Sequence, residues 1–260
     1  MTNSLRMARS LLAPLLAVAL LALPSAVLAS PSVCALTASP RVLASTGPKD
    51  AKGSQLLQVW EVPDAAVYWS DTAPDSNAYR DFMAGVERSV TVRDPVTLLQ
   101  RSPAFGAPLL LRYNQLVASR AADWIRPAGC LERLLMAVQH DRVDTFARPT
   151  EFAAFVLRSP DQTRLRVYYL TLNEDWIGRV TPITERVLED HKAGWTVLIG
   201  LHNHNFHPGQ PALDGVLAPS EADAQLARTL AREAGLEAAW ITNGLHTSHI
   251  PAQAFDLFQP

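Results

Sequence analysis

The chain has 260 residues, with 23 Lys and Arg against 25 Asp and Glu, and 48% of its residues are apolar. This supplies ample material for a core and excludes global disorder. A net charge of −2, with no basic run interleaved with aromatics, gives no electrostatic footprint for nucleic acid and excludes it as a partner.

The N-terminus reads as an address. Arg6 and Arg9 precede an apolar stretch over 11–23, and a short segment over 24–30 follows, the order of a secretory signal peptide. Val27 and Ala29 stand at the −3 and −1 positions for cleavage after Ala29. The rival reading is an uncleaved membrane anchor, for which the apolar core is short against the roughly 20 residues a spanning helix needs. The expected location is therefore periplasmic or extracellular, with membrane contact only if the segment is retained. Cys34 and Cys130 are the only cysteines. Export would permit a bridge between them, and the alternative is one buried and one idle thiol. Neither has a second cysteine at metal-site spacing, so a thiolate zinc knot is excluded.

Residues 31–54, rich in Ser, Pro, Ala, Gly and Lys, read as a linker or loosely attached arm. Residues 55–126 hold apolar runs at 56–60 and 109–111, broken by Pro63, Pro74, Pro95, Pro103 and Pro108, and carry no interpretable motif. The division of the chain is thus a signal peptide at 1–29, an N-terminal extension of unclear role at 30–126 and a domain at 127–260.

In that last part Leu131, Leu134, Leu135 and Val138 fall on one face of a helix. Two strands, 152–157 and 165–172, flank the turn residues Ser159, Pro160, Asp161 and Gln162 and predict a hairpin. A helix is expected over 184–192, followed by Gly194. The almost purely apolar run 196–201 reads as a central strand covered on both faces. After a Pro- and Gly-bearing loop come a helix over 220–234, stopped by Gly235, and a last short strand over 238–242. The fold class is α/β with a mixed sheet.

The central strand runs into His202-Asn203-His204. Residues i and i+2 of a strand share a face, so both imidazoles can converge on one ion, and imidazole is a preferred zinc ligand. A catalytic zinc takes three protein ligands and leaves a position for water. Asp223, near the start of the next helix, can supply the third. Two neutral imidazoles and one carboxylate around a divalent cation leave a net +1, which favours ionisation of a bound water.

His202-x-His204 followed by Ser220-x-x-Asp223 resembles the motif of the JAMM (MPN-type) zinc metalloproteases, a glutamate followed by H-x-H and S-x-x-D. The resemblance covers roughly 127–260 and includes Pro149-Thr150-Glu151 opening the first strand of the hairpin. It implies an MPN-like mixed β-sheet flanked by helices, with an N-terminal extension. It implies Zn2+ held by His202, His204 and Asp223, Glu151 as proton shuttle, Ser220 as hydrogen-bond donor to the oxyanion, and hydrolysis of a peptide or isopeptide bond in a peptide or protein substrate. Three features depart from the pattern. Fifteen residues separate His204 from Ser220, Asn205 stands where many members have proline, and Ala153-Ala154 replaces a glycine.

Other readings stand beside these. Ser220-x-x-Asp223 is also a helix-capping pattern. Glu174, just after the second hairpin strand, is a geometric rival to Glu151. His207 could complete an all-histidine site if Asp223 does not reach. His246, His249 and the tryptophans are expected to be structural. A catalytically silent MPN-type binding or scaffold module is the alternative function. An amidohydrolase barrel is excluded, because 56 residues after His204 cannot hold the remainder of a fold of about 250 residues.

Overall fold

A computed structural model describes residues 33–120, 124–175 and 180–259. The expected signal peptide lies outside these residues. Among them, no helix is long and apolar enough to cross a membrane.

The strands are β1 (Arg41–Ser45), β2 (Leu56–Pro63), β3 (Ile125–Pro127), β4 (Phe152–Arg158), β5 (Arg164–Thr171), β6 (Thr196–Asn203), β7 (Ala238–Thr242) and β8 (His246–Pro251). They form one eight-stranded sheet in the order β1-β2-β5-β4-β6-β7-β8-β3. Every pairing is antiparallel except the parallel pair β6–β7. The helices are α1 (Asn77–Ser89), α2 (Pro95–Arg101), α3 (Pro108–Ser119), α4 (Cys130–Arg142), α5 (Thr181–Lys192) and α6 (Glu221–Ala234). A final 3-10 segment spans Ala252–Leu257.

Each face of the sheet is buried. Phe82 and Val86 of α1 and Leu131, Leu135 and Met136 of α4 pack on Val156, Val167 and Leu201. On the other face Tyr113 of α3, Val187 of α5 and Ala227 and Leu230 of α6 pack on Phe155, Tyr168 and Ile241. The architecture is a mixed α/β sandwich of three layers. The β4–β5 hairpin, the helix after residue 130 and a β6 covered on both faces all stand where hydrophobic periodicity puts them.

The N-terminal half is part of this sheet. The apolar run at 56–60 is β2, paired along its whole length with β5. Residues 31–54 were expected as a loose arm, but β1 pairs with β2 and Cys34 is buried and bonded to Cys130. The boundary placed at 126/127 falls inside β3. The run at 109–111 lies within helix α3, whose N1 position is Pro108. The strand over 238–242 is not the last: β8 follows it. Thr247 and Ser248 in β8 are fully buried polar residues, so its sequence lacks the alternation that marks a strand.

Candidate metal centre

The site forms where β6 ends beside the N-terminus of α6. His202 is the penultimate residue of β6, paired with Ala153 of β4 and Ile241 of β7. His204 lies one residue past the strand, yet its N–H still donates to the Thr242 carbonyl at 2.9 Å, so the strand's alternation persists through both histidines. The helix brings the third side chain. Ser220 is its N-cap: the Ser220 hydroxyl accepts from the Asp223 N–H at 3.2 Å, and Asp223 Oδ2 accepts from the Ser220 N–H at 2.8 Å. The capping box is therefore real, and it leaves the same carboxylate facing the histidines. The capping reading of Ser220-x-x-Asp223 is met, and the same geometry is compatible with Asp223 as a metal ligand.

Asp223 Oδ2 stands 3.4 Å from His202 Nε2 and 3.9 Å from His204 Nε2, and the two Nε2 atoms are 3.2 Å apart. A tetrahedral zinc with bonds of 2.0–2.1 Å has ligand atoms about 3.3 Å from one another. Two of the three separations lie close to that spacing and the third, at 3.9 Å, is longer. The group could thus hold a metal ion after a small closure of Asp223 toward His204, and an N₂O donor set suits zinc. His207 is not part of this cluster, which consists of His202, His204 and Asp223.

The ring of His204 is fixed by its neighbours. His204 Nδ1 lies 2.6 Å from the Val216 carbonyl, which requires Nδ1 to carry the proton and leaves the Nε2 lone pair facing the cluster. That carbonyl is placed by the loop over 205–219, whose length the sequence marks as unusual. The Gly215 N–H donates to the Asn205 carbonyl at 2.8 Å, and the Gly215 carbonyl accepts from Asn243 Nδ2 at 3.0 Å. Gly215 has φ +64° and a Cβ there would sit 2.6 Å from the Phe206 ring, so only glycine lets the loop fold this closely. The hydroxyl of Ser248 donates to the Leu217 carbonyl at 2.7 Å and pins the same loop to β8.

Burial disfavours a charged His204, and the adjacent His202 adds to this, so its pKa drops to about 4 although Asp223 opposes the shift. Burial also works against a charged His202, but the charge and hydrogen bond of Asp223, aided by Glu151, outweigh it and raise its pKa above the ordinary value. Burial opposes an ionised Asp223 as well, yet the two imidazoles and Ser220 hold its carboxyl well below the usual range. The site is thus a cluster of an ionised Asp223, a neutral His204 and a His202 that Asp223 biases toward its charged form.

Glu151 and Ser220 border the same cavity as the three ligand candidates. The Glu174 carbonyl accepts the Glu151 N–H at 2.7 Å. The Glu174 side chain pairs with Lys52 Nζ at 3.5 Å. The segment carrying Glu151 is stapled to the H-N-H strand by two buried asparagines. Phe152 N–H donates to Asn203 Oδ1 at 2.7 Å, and the Thr150 carbonyl accepts from Asn203 Nδ2 at 3.1 Å and from Asn205 Nδ2 at 2.7 Å. Gln139 of α4 donates to the Thr150 hydroxyl at 2.6 Å and accepts from the Tyr169 hydroxyl. Asn205, which departs from the family pattern, therefore has a structural task. The sequence signal for these residues is polar side chains at positions that an apolar strand would give to its covered face.

Comparison with protein-family models, with curated proteins and with solved structures gives no match to this chain.

Proposed function

We propose that this protein is a zinc-dependent hydrolase of the JAMM (MPN-like) type that cleaves an amide bond, of a peptide or isopeptide kind, outside the cytoplasm. The observation that carries the reading is the convergence of His202, His204 and Asp223, their ligand atoms within 3.9 Å of one another, beside a cavity that Glu151 and Ser220 also line. His202, His204 and Asp223 would hold the ion. When bound, zinc supplies Lewis acidity, polarising the amide carbonyl and lowering the pKa of a coordinated water.

The chain's own groups do the rest. Glu151 takes a proton as water oxygen adds to the carbonyl carbon, and returns it to the amine nitrogen as the C–N bond breaks, giving a carboxylic acid and an amine. Ser220 Oγ, already an acceptor from the Asp223 N–H, keeps its own proton to donate to the developing oxyanion. Asn203 and Asn205 hold the Glu151 segment at a fixed distance from the histidines.

Metal analysis of the purified protein tests this directly. About one zinc per chain is expected, lost in His202→Ala and Asp223→Ala. Glu151→Gln should retain the zinc and lower turnover of a peptide library by roughly 10²–10⁴-fold, the usual weight of a general base. Wild-type protein without zinc, or Glu151→Gln with full turnover, would overturn the proposal.

A further inference from the structure

The cavity beside the metal centre is far larger than the centre needs. Its volume is about 610 Å³, in the range that encloses a whole small molecule and above any single side chain. It extends along α6 from Asp223 past Ala227 to Leu230. At 1.5 Å per residue, that reach is about 10 Å along the helix.

The floor explains why the space exists. Gly200 pairs with Phe155 on one side and Ala239 on the other, two residues before His202 and on the same face. A Cβ on Gly200 would lie 3.0 Å from the Phe155 ring. Opposite, α6 presents Ala224 and Ala227. Small residues on both sides leave the space between helix and sheet unfilled, and Ile250, Phe255 and Phe258 also line it.

The lining is polarised. Its acidic residues are Glu151, Asp175 and Asp223, and its imidazoles are His202, His204 and His207. These interact with one another around the metal centre. Away from it the polar residues are Ser102 and Asn114, and both are engaged locally: Ser102 Oγ accepts from the Ala104 N–H at 3.2 Å and Asn114 Nδ2 donates to the Leu99 carbonyl at 3.3 Å. A peptide backbone drawn into this space would bury a run of N–H and C=O groups with only Ser102 and Asn114 among the lining side chains there to pair them. What fits is a chain without hydrogen-bonding groups.

The geometry points to a substrate amide that carries a long hydrocarbon chain on its acyl or its amine side, the chain lying between α6 and the sheet while the amide rests at His202, His204 and Asp223. This rests on the hydrolase reading for the identity of the head group, and the pocket itself is tested separately. Neutral N-alkanoyl glycinamides of 2, 6, 10 and 14 carbons, kept below their aggregation concentrations, are titrated calorimetrically into the protein before and after treatment with a chelator. Affinity should rise about fourfold per buried methylene until the cavity is full, with or without metal. Ala227→Trp, checked for a native circular dichroism spectrum and for its zinc content, should flatten the series; Ala239→Leu provides a second, milder filling. Equal binding of the 2- and 14-carbon probes overturns the inference, as does an unchanged slope in both folded variants. A chain-length series with no zinc in the protein would sink the hydrolase reading alone, and one equivalent of zinc with a flat series would sink the pocket alone. Cleavage of N-tetradecanoyl glycinamide against glycyl tetradecylamide then decides which side of the amide bears the chain.

Discussion

The residue that does most to define the candidate site without being a ligand is Asn203. It is fully buried, faces away from the histidines and uses its amide three ways, toward Phe152, Thr150 and Asn205. Replacing it by alanine leaves a buried N–H at Phe152 unpaired and removes one of the two bonds holding the Thr150 carbonyl. The expected cost in stability is about 1–3 kcal/mol, read from denaturant unfolding. Because Glu151 lies between those two backbone groups, Asn203→Ala should also lower kcat on an amide substrate while zinc content stays at the wild-type level. A loss of zinc instead would mean that Asn203 supports the ligands and not the acid. His204 is constrained in the same manner from outside the ligand set, through one backbone carbonyl that depends on Gly215, Asn243 and Ser248.

At the scale of elements, the decisive junction is the entry to α6. A capping box contributes to helix stability in any protein, but here its N3 carboxylate also stands beside His202 and His204 in the candidate metal cluster. The two roles can be separated by substitution at Ser220. Ser220→Ala removes the hydroxyl that accepts from Asp223 N–H, and should cost about 1 kcal/mol of stability. It should also weaken zinc binding by roughly 10–100-fold, because a ligand loses part of what orients it. Ser220→Thr keeps the oxygen and should restore both measurements. If zinc affinity measured against a competing chelator is the same in all three proteins, the cap does not orient Asp223. This junction was legible in the sequence, since S-x-x-D and H-x-H carry their chemistry in residue type and spacing. The hairpin and β6 were legible for a different reason, as they are apolar and periodic. What was not legible is the support. β8 is built around buried Thr247 and Ser248, β1 and β2 come from a stretch crowded with prolines, and the asparagines and Gly215 act only through partners distant in the chain. Local pattern cannot report a hydrogen bond across fifty residues such as that from Phe152 to Asn203.

At the scale of the whole molecule, the two halves of the chain are joined by shared strands and by the Cys34–Cys130 bridge, which spans 96 residues. Stability is thus expected to respond as one unit, and its dependence on pH follows from the buried histidines. His140 packs against Phe82 and Phe146, and its Nδ1 accepts from the Thr145 N–H at 3.3 Å. Burial lowers its pKa, with Arg88 acting in the same sense and Asp144, Asp81 and Asp141 opposing. His204, His207, His246 and His249 are also lowered, burial being the first cause in each. For all five the unfolded chain binds protons more readily than the folded one below the ordinary imidazole value of about 6.5. Their contribution is complete above that pH and is lost as the pH falls toward the folded values, the lowest of these being about 4 at His204. His202, whose pKa is raised, runs the other way and favours the folded state at lower pH. Five groups against one predict a metal-free protein whose urea midpoint is lower at pH 5 than at pH 7. His140→Gln cannot acquire a charge and offers Oε1 to the Thr145 N–H, so it should shrink the difference between the two midpoints. A midpoint that rises on acidification, or a His140→Gln protein with an unchanged difference, would show that these imidazoles do not govern the response.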